Sequence, residues 1–379
     1  MASVPDIANM KAKALVIMAT RREDQGLISE VATEYGVDED AVPSAAEDKD
    51  WRGVVPSYGW HPWFSHQIYD DTSEQDLHSS TSLSLEQKRQ HYMAVLTPMP
   101  SDTAFLDALP EPIRLSTLIS DIRASLSQHP LALIGEIGLD RAFRIPEAWL
   151  PADAASRNDE ITPGSREGRR LSPYRVTIEH QKKLLLAQLH LAGEMSRAAS
   201  IHGVQAHGML YETLKESWEG HEKEVLSKKE RKKRERDAAN ETDANTRHAH
   251  TEDNHSSTTS LPYPPRICLH SYSGPAEQVK QYLGPEVPAE IFFSFSLAIN
   301  FSTSATAKSE EVIKLLPDEL LLIESDMPVA GQRMDDQLEG IARTVCRLKG
   351  WELKQGVELL KDNWMRFVFG HSSSEHAQS

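Results

Sequence analysis

Short motifs bearing acids and histidines recur at wide intervals along this sequence, each on or just past an apolar run. They are Tyr58-Gly59-Trp60-His61-Pro62, Gly135-Glu136-Ile137-Gly138-Leu139-Asp140, Ser200-Ile201-His202-Gly203, Cys268-Leu269-His270-Ser271-Tyr272-Ser273-Gly274 and Ile323-Glu324-Ser325-Asp326-Met327-Pro328. Neutral imidazole is a favoured ligand for zinc and similar divalent ions. A carboxylate can share such an ion, or orient an attacking water as its base. Singly, each signal has an ordinary reading. Glu136 reads as well as a surface or capping acid, His202 and His270 as hydrogen-bonded structural histidines, and Asp326 as a turn residue before Pro328. Four strands ending in Glu, His, His and Asp, in chain order, would rarely arise without a shared site. His61 follows a further strand and is expected to contact substrate ahead of any metal role, while Trp60 and Trp63 read as packing residues at the rim.

Such a site needs a scaffold that brings distant strand ends together. Apolar runs that read as strands lie at Ala14 to Met18, Val54 to Gly59, Leu131 to Ile137, Ala199 to His202, Arg266 to His270, Glu290 to Phe295 and Leu320 to Glu324. Helical patterns alternate with them; Leu184, Leu185, Gln188, Leu189 and Ala192 fall near one face at the 3.6-residue period. Alternating strands and helices argue for parallel βα units. The expected fold is therefore an α/β, (β/α)8 TIM-type barrel, in which strand ends share one rim. These runs number one short of the eight that close such a barrel, which predicts a first strand missing ahead of Ala14.

Length and composition fit a single insertion-bearing barrel spanning residues 1–379. The apolar share of 39% is low, and the shortfall concentrates in a few polar stretches. A net charge of -16 argues against a generally basic, nucleic-acid-coating surface, although metals can still meet a phosphate locally. Cys268 and Cys346 are too few for a disulfide framework, which favours a reducing compartment. No run approaches the ~20 apolar residues that span a bilayer. The expectation is an intracellular protein, cytoplasmic or nuclear, with no membrane partner.

Three insertions interrupt the pattern. Residues 64–112 and 141–173 follow strands and so belong on the active-site rim, whereas 219–265 follows a helix and belongs on the opposite face. The last holds the charged run Lys228 to Arg236 and a tract rich in Asn, Thr, Ser and His, and its composition predicts disorder. His248, His250 and His255 in that tract read as solvated.

Taken together, these residues resemble the TatD family of metal-dependent hydrolases, within the amidohydrolase-like barrels. The matching features are Gly-x-His-Pro, Gly-Glu-x-Gly-Leu-Asp, the strand-end His before a helix, the His-x-x-Ser-Gly-like turn and Glu-Ser-Asp-x-Pro, spread from Ala14 to Phe369. The likeness is nearest to the fungal branch known as Cut9-interacting. It implies a (β/α)8 fold, divalent metal ions (Mg, Mn or Zn) and a metal-activated water attacking a phosphodiester in DNA. By match, Glu136 would bridge two metals, His202 and His270 would hold one, and Asp326 would serve the other and the nucleophilic water. Glu136 and Asp326 are thus the expected catalytic acids. The branch also implies an alternative, a catalytically weak barrel acting as scaffold for a cell-cycle protein partner of the Cut9 or anaphase-promoting-complex type. A third reading is hydrolysis of an amide or ester.

The family carries a His-x-His pair at the end of its first strand, and here the first histidine is His61. The expectation is that the natural product begins further upstream with such a strand. The chain as given should then bind at most one metal tightly and show weak nuclease activity or none.

Overall fold

The computed structural model describes residues 3–37, 53–72, 83–147, 169–225, 230, 260–302 and 306–370. The charged run, the three tract histidines and most of 141–173 lie outside the described residues.

Seven parallel strands form one sheet in chain order: β1 (Ala14–Met18), β2 (Gly53–Tyr58), β3 (Leu133–Asp140), β4 (Ala199–Val204), β5 (Arg266–Leu269), β6 (Glu290–Phe295) and β7 (Leu321–Ile323). The connecting helices include α1 (Arg22–Tyr35), α2 (Leu115–Gln128), α3 (Ile178–Glu194), α4 (His207–Ser217), α5 (Ala276–Tyr282), α6 (Thr306–Leu315), α7 (Gln332–Lys349) and α8 (Leu353–Phe369). This is an α/β TIM-type barrel. Among the described residues no eighth strand pairs with β1 or β7, so these two are the sheet's ends.

The strands read as near-continuous apolar runs because both their faces are covered. Ile134, Ile267, Ile291 and Phe293 belong to the main core, with Leu118 and Ile122 of α2, Leu185 and Leu189 of α3, and Val279 of α5. Their sequence neighbours Leu133, Cys268 and Phe292 join Leu322, Phe367 and Val368 in a second cluster. Arg266 at the start of β5 donates from Nε to the Phe367 carbonyl at 2.7 Å. The C-terminal helix therefore ends at the amino end of the sheet, leaving the carboxyl ends free for a site.

The rim insertion 64–112 carries its own helices, Leu85–Val95 and Thr103–Ala108. Residues of both rim insertions build a satellite core of Tyr92, Val95, Leu96, Leu106, Leu109, Ile145 and Val176. A short antiparallel pairing of Leu96 and Thr97 with Val176 and Arg175 fixes it to the start of α3.

The expected disorder across 219–265 does not extend to its two flanks. Lys223 N donates to the Glu286 carbonyl at 2.9 Å, and Tyr263 is buried with its ring edge-on to Trp218. Leu261 and Tyr263 pass so close to Gly193 of α3 that a Cβ there would lie 2.3 Å from the Leu261 carbonyl oxygen. Two aromatic side chains at the edges of a polar segment are enough to anchor its ends.

Candidate metal centre

Parallel pairing sets the height of each functional side chain. His270 N donates to the Ile201 carbonyl, Glu324 N to the Phe295 carbonyl, His61 N to the Thr20 carbonyl and Glu136 N to the Ala19 carbonyl, at 2.9 to 3.2 Å. His270, Glu324 and His61 are thus tied to the strand next door at the carboxyl end of the sheet, and Glu136 reaches past β2 to the end of β1. Gly138 allows β3 and β4 to close up beside the site. It has φ of +149°, and a Cβ there would sit 2.0 Å from the His202 carbonyl oxygen. Only glycine tolerates both conditions.

Glu136 lies at the middle of the arrangement. Its Oε1 is 2.9 Å from His202 Nδ1, 3.4 Å from His61 Nε2 and 3.9 Å from His270 Nε2. Asp326 Oδ1 is 3.4 Å from the same His270 nitrogen. The structure therefore brings Glu136, His202, His270 and Asp326 together. The ligand atoms of His61, Glu136 and His202 lie within 4.8 Å of one another, so His61 sits inside the cluster as well. Asp326 stands at its open side, with a side chain 32% exposed against 14% for Glu136. It occupies the left-handed backbone region at φ 52°, which Asp tolerates better than most residues.

Two further acids complete the set, and composition and motif order had assigned neither a role. Asp140 accepts from His202 Nε2 at 3.1 Å and from Trp63 Nε1 at 2.6 Å, and its other oxygen accepts from the backbone of Ala142 and Phe143. Glu324 Oε2 lies 2.8 Å from His270 Nδ1, off the line of a well-aligned bond, and accepts from the Ser294 hydroxyl, while Oε1 accepts from the Ser271 hydroxyl. Each of the two strand-end histidines therefore has a carboxylate against the ring nitrogen that faces away from Glu136. The sequence held a signal for both, since Asp140 and Glu324 stand inside the motifs. A β-strand alternates its side chains, yet nothing in one dimension shows which nitrogen of which imidazole they meet.

Charge within the cluster is self-consistent. Burial alone would raise the Glu136 carboxyl, but His270, His61 and His202 beside it hold it well below the usual carboxylate range. Burial likewise opposes ionisation of Asp140, and its bonds to His202 and Trp63 outweigh that and bring it to about 2. His202 is driven the other way, up to about 9, because Asp140 and Glu136 overcome its burial. Glu324 and Glu136 do the same for His270. His61 alone is lowered, by burial first. Glu136 and His202 offer ligand atoms at one point, with His270 and Asp326 adjoining it, an arrangement that suits a divalent cation, which would replace the protons now neutralising the acids.

A parallel α/β barrel with imidazoles and carboxylates gathered on its carboxyl-end rim defines the broad class. The chain belongs to the TatD family: residues 10–368 match the family described as TatD related DNase. It is 37% identical over 362 residues to Cut9-interacting protein scn1 of Schizosaccharomyces pombe, covering 96% of this chain and 93% of that one. It is 26% identical over 328 residues to an uncharacterized deoxyribonuclease of Saccharomyces cerevisiae, covering 83% of this chain and 82% of that protein. Among solved structures, YJJV, a TatD homologue from Escherichia coli K12, superposes with a TM-score of 0.50 at 16% identity, covering 98% of this chain and 91% of that one. This last likeness concerns the fold alone. Among the described residues no helix is long and apolar enough to cross a membrane.

Proposed function

We propose that the chain is a metal-dependent phosphodiester hydrolase acting on DNA, with Glu136, His202, His270 and Asp326 as metal ligands. The observation that carries this reading is the ring of imidazoles around Glu136 Oε1, at 2.9 to 3.9 Å, with carboxylates behind two of them. A divalent ion held there would supply a Lewis acid for the phosphoryl oxygens and lower the pKa of a water. Glu136, little exposed and anionic, would hold the ion from the centre. Asp326, half-exposed at the open side, is reachable by a water and takes its proton as that water attacks phosphorus. His61 contacts the substrate. Trp63 and Phe143 stack at 4.7 Å beside His61 and form the wall next to it.

A second reading is favoured by one observation, the 37% identity with a protein named for interaction with Cut9. In it the barrel is a scaffold for a cell-cycle partner, and the insertions make the contact. Both readings are tested with the purified full chain. Cleavage of DNA dependent on Mg2+, Mn2+ or Zn2+, abolished by chelation and by Glu136→Gln, supports the hydrolase. Tight partner binding by wild type and Glu136→Gln alike, with no cleavage by either, supports the scaffold.

A further inference from the structure

The three imidazoles around Glu136 are not equivalent, because different groups occupy their outward nitrogens. His61 is the N-cap of a short 3-10 helix, Pro62–Gln67, and its Nδ1 accepts the backbone N–H of Trp63 at 3.2 Å. A backbone N–H can only donate, so that nitrogen must present its lone pair. A neutral imidazole then carries its hydrogen on the other nitrogen, and for His61 that is Nε2, which points at Glu136 Oε1 from 3.4 Å. His202 and His270 are wired the opposite way. Their outward nitrogens face the acceptors Asp140 and Glu324, so in the neutral form that a metal ion requires the hydrogen is held outward and the lone pair is left for the centre.

A cation takes a lone pair. His202 through Nδ1 and His270 through Nε2 have one to give. His61 has none unless it surrenders the Trp63 bond or loses its one ring proton to become an imidazolate. Its ring has little freedom to turn over, since it is 2% exposed and packed edge-on against Trp63 at 4.7 Å and His202 at 4.4 Å. Proximity alone would group it with the ligands; the hydrogen-bond roles separate it.

We propose that His61 is no metal ligand but a fixed Nε2–H donor aimed into the site, its tautomer set by the Trp63 backbone, and that it donates to an anionic oxygen of the bound phosphoryl group. This deepens the hydrolase reading and rests on it for the phosphoryl group. The donor needs no proton transfer: it lends a hydrogen bond that strengthens as negative charge grows on the oxygen.

The test has two parts. In 15N-labelled full-length protein, the His61 ring should show a pyridine-type Nδ1 and a pyrrole-type Nε2, both without metal and after titration with Zn2+. A protonated Nδ1, or loss of the Nε2 proton on Zn2+ addition, overturns the proposal. Second, His61→Ala and His61→Gln should bind Zn2+ with dissociation constants within about threefold of wild type, while His61→Ala weakens binding of inorganic phosphate to the Zn2+-loaded protein about tenfold or more. His61→Gln, which can place an amide N–H near the Nε2 position, should recover part of it. Loss of Zn2+ affinity by tenfold in a folded His61→Ala protein would show a ligand and overturn the proposal. Should Zn2+ fail to bind the wild type, the metal reading falls, and the metal-free ring spectrum still decides the tautomer of His61.

Discussion

Acidification should loosen the rim insertion, because the buried His66 and half-buried His91 within it and the buried His180 of α3 against it lack a compensating acid strong enough to charge them. His66, in the short helix capped by His61, is 4% exposed, and its Nδ1 has no well-formed hydrogen bond among the described residues. Burial, reinforced by His91 and His180, pushes it down to about 3. Burial pushes His91 down to about 4 and lowers His180 as well, with Asp70 and Lys183 pulling the latter in opposite directions. The folded pKa values lie below the ordinary 6.5, so the unfolded chain binds more protons across the interval between them. Stability is complete above about pH 6.5 and is lost as pH falls toward the folded values. Linkage from pH 6.5 to about pH 5 gives roughly 1.5 kcal/mol each for His66 and His91, or about 3 kcal/mol together. The raised pKa of His202 acts above this window and the depressed one of Asp140 below it, whereas His207 of α4, pushed down to about 4 by its burial, adds a similar contribution within it. Urea denaturation at the two pH values, with the slope checked for constancy, measures it. His91→Gln, which can keep the donor to the His66 carbonyl now held at 2.8 Å, should remove about 1.5 kcal/mol of the dependence. Stability that is flat or rising between pH 6.5 and about pH 5 would refute the argument that these imidazoles are buried neutral.

Asp140→Asn and Glu324→Gln should each weaken Zn2+ binding about 10- to 100-fold by calorimetric titration, since each removes the charge that holds a ligand imidazole in its tautomer; unchanged affinity in both would deny them a positioning role. Gly138→Ala should cost more than about 4 kcal/mol, seen as loss of soluble folded protein or a large fall in Tm, because the added Cβ meets the His202 backbone at a positive φ. Removing residues 226–259 while keeping both anchored flanks should leave Tm within a few degrees of wild type, as expected for a segment of low apolar content; loss of a cooperative transition would show that part of that segment belongs to the core.

Much of the fold was legible in one dimension because a parallel sheet covered on both faces must be written in apolar runs, and those runs are separated by helices long enough to cross over. The strands at Ala14–Met18 and Glu290–Phe295 coincide with their sequence boundaries, and the others shift by a few residues at their ends. The meeting of Glu136, His202, His270 and Asp326 was legible for a related reason: strand order places their carriers around one rim. What the sequence left open was everything that depends on distance and direction. The anchoring of the 219–265 flanks turns on where Trp218 and Gly193 lie in space, which composition cannot report. The roles of Asp140 and Glu324 turn on which ring nitrogen each one meets. His61 shows the division most clearly. Its strand-end position was visible in the chain, but only the folded backbone puts the Trp63 N–H against its Nδ1, and that single hydrogen bond decides which face of the imidazole the site receives.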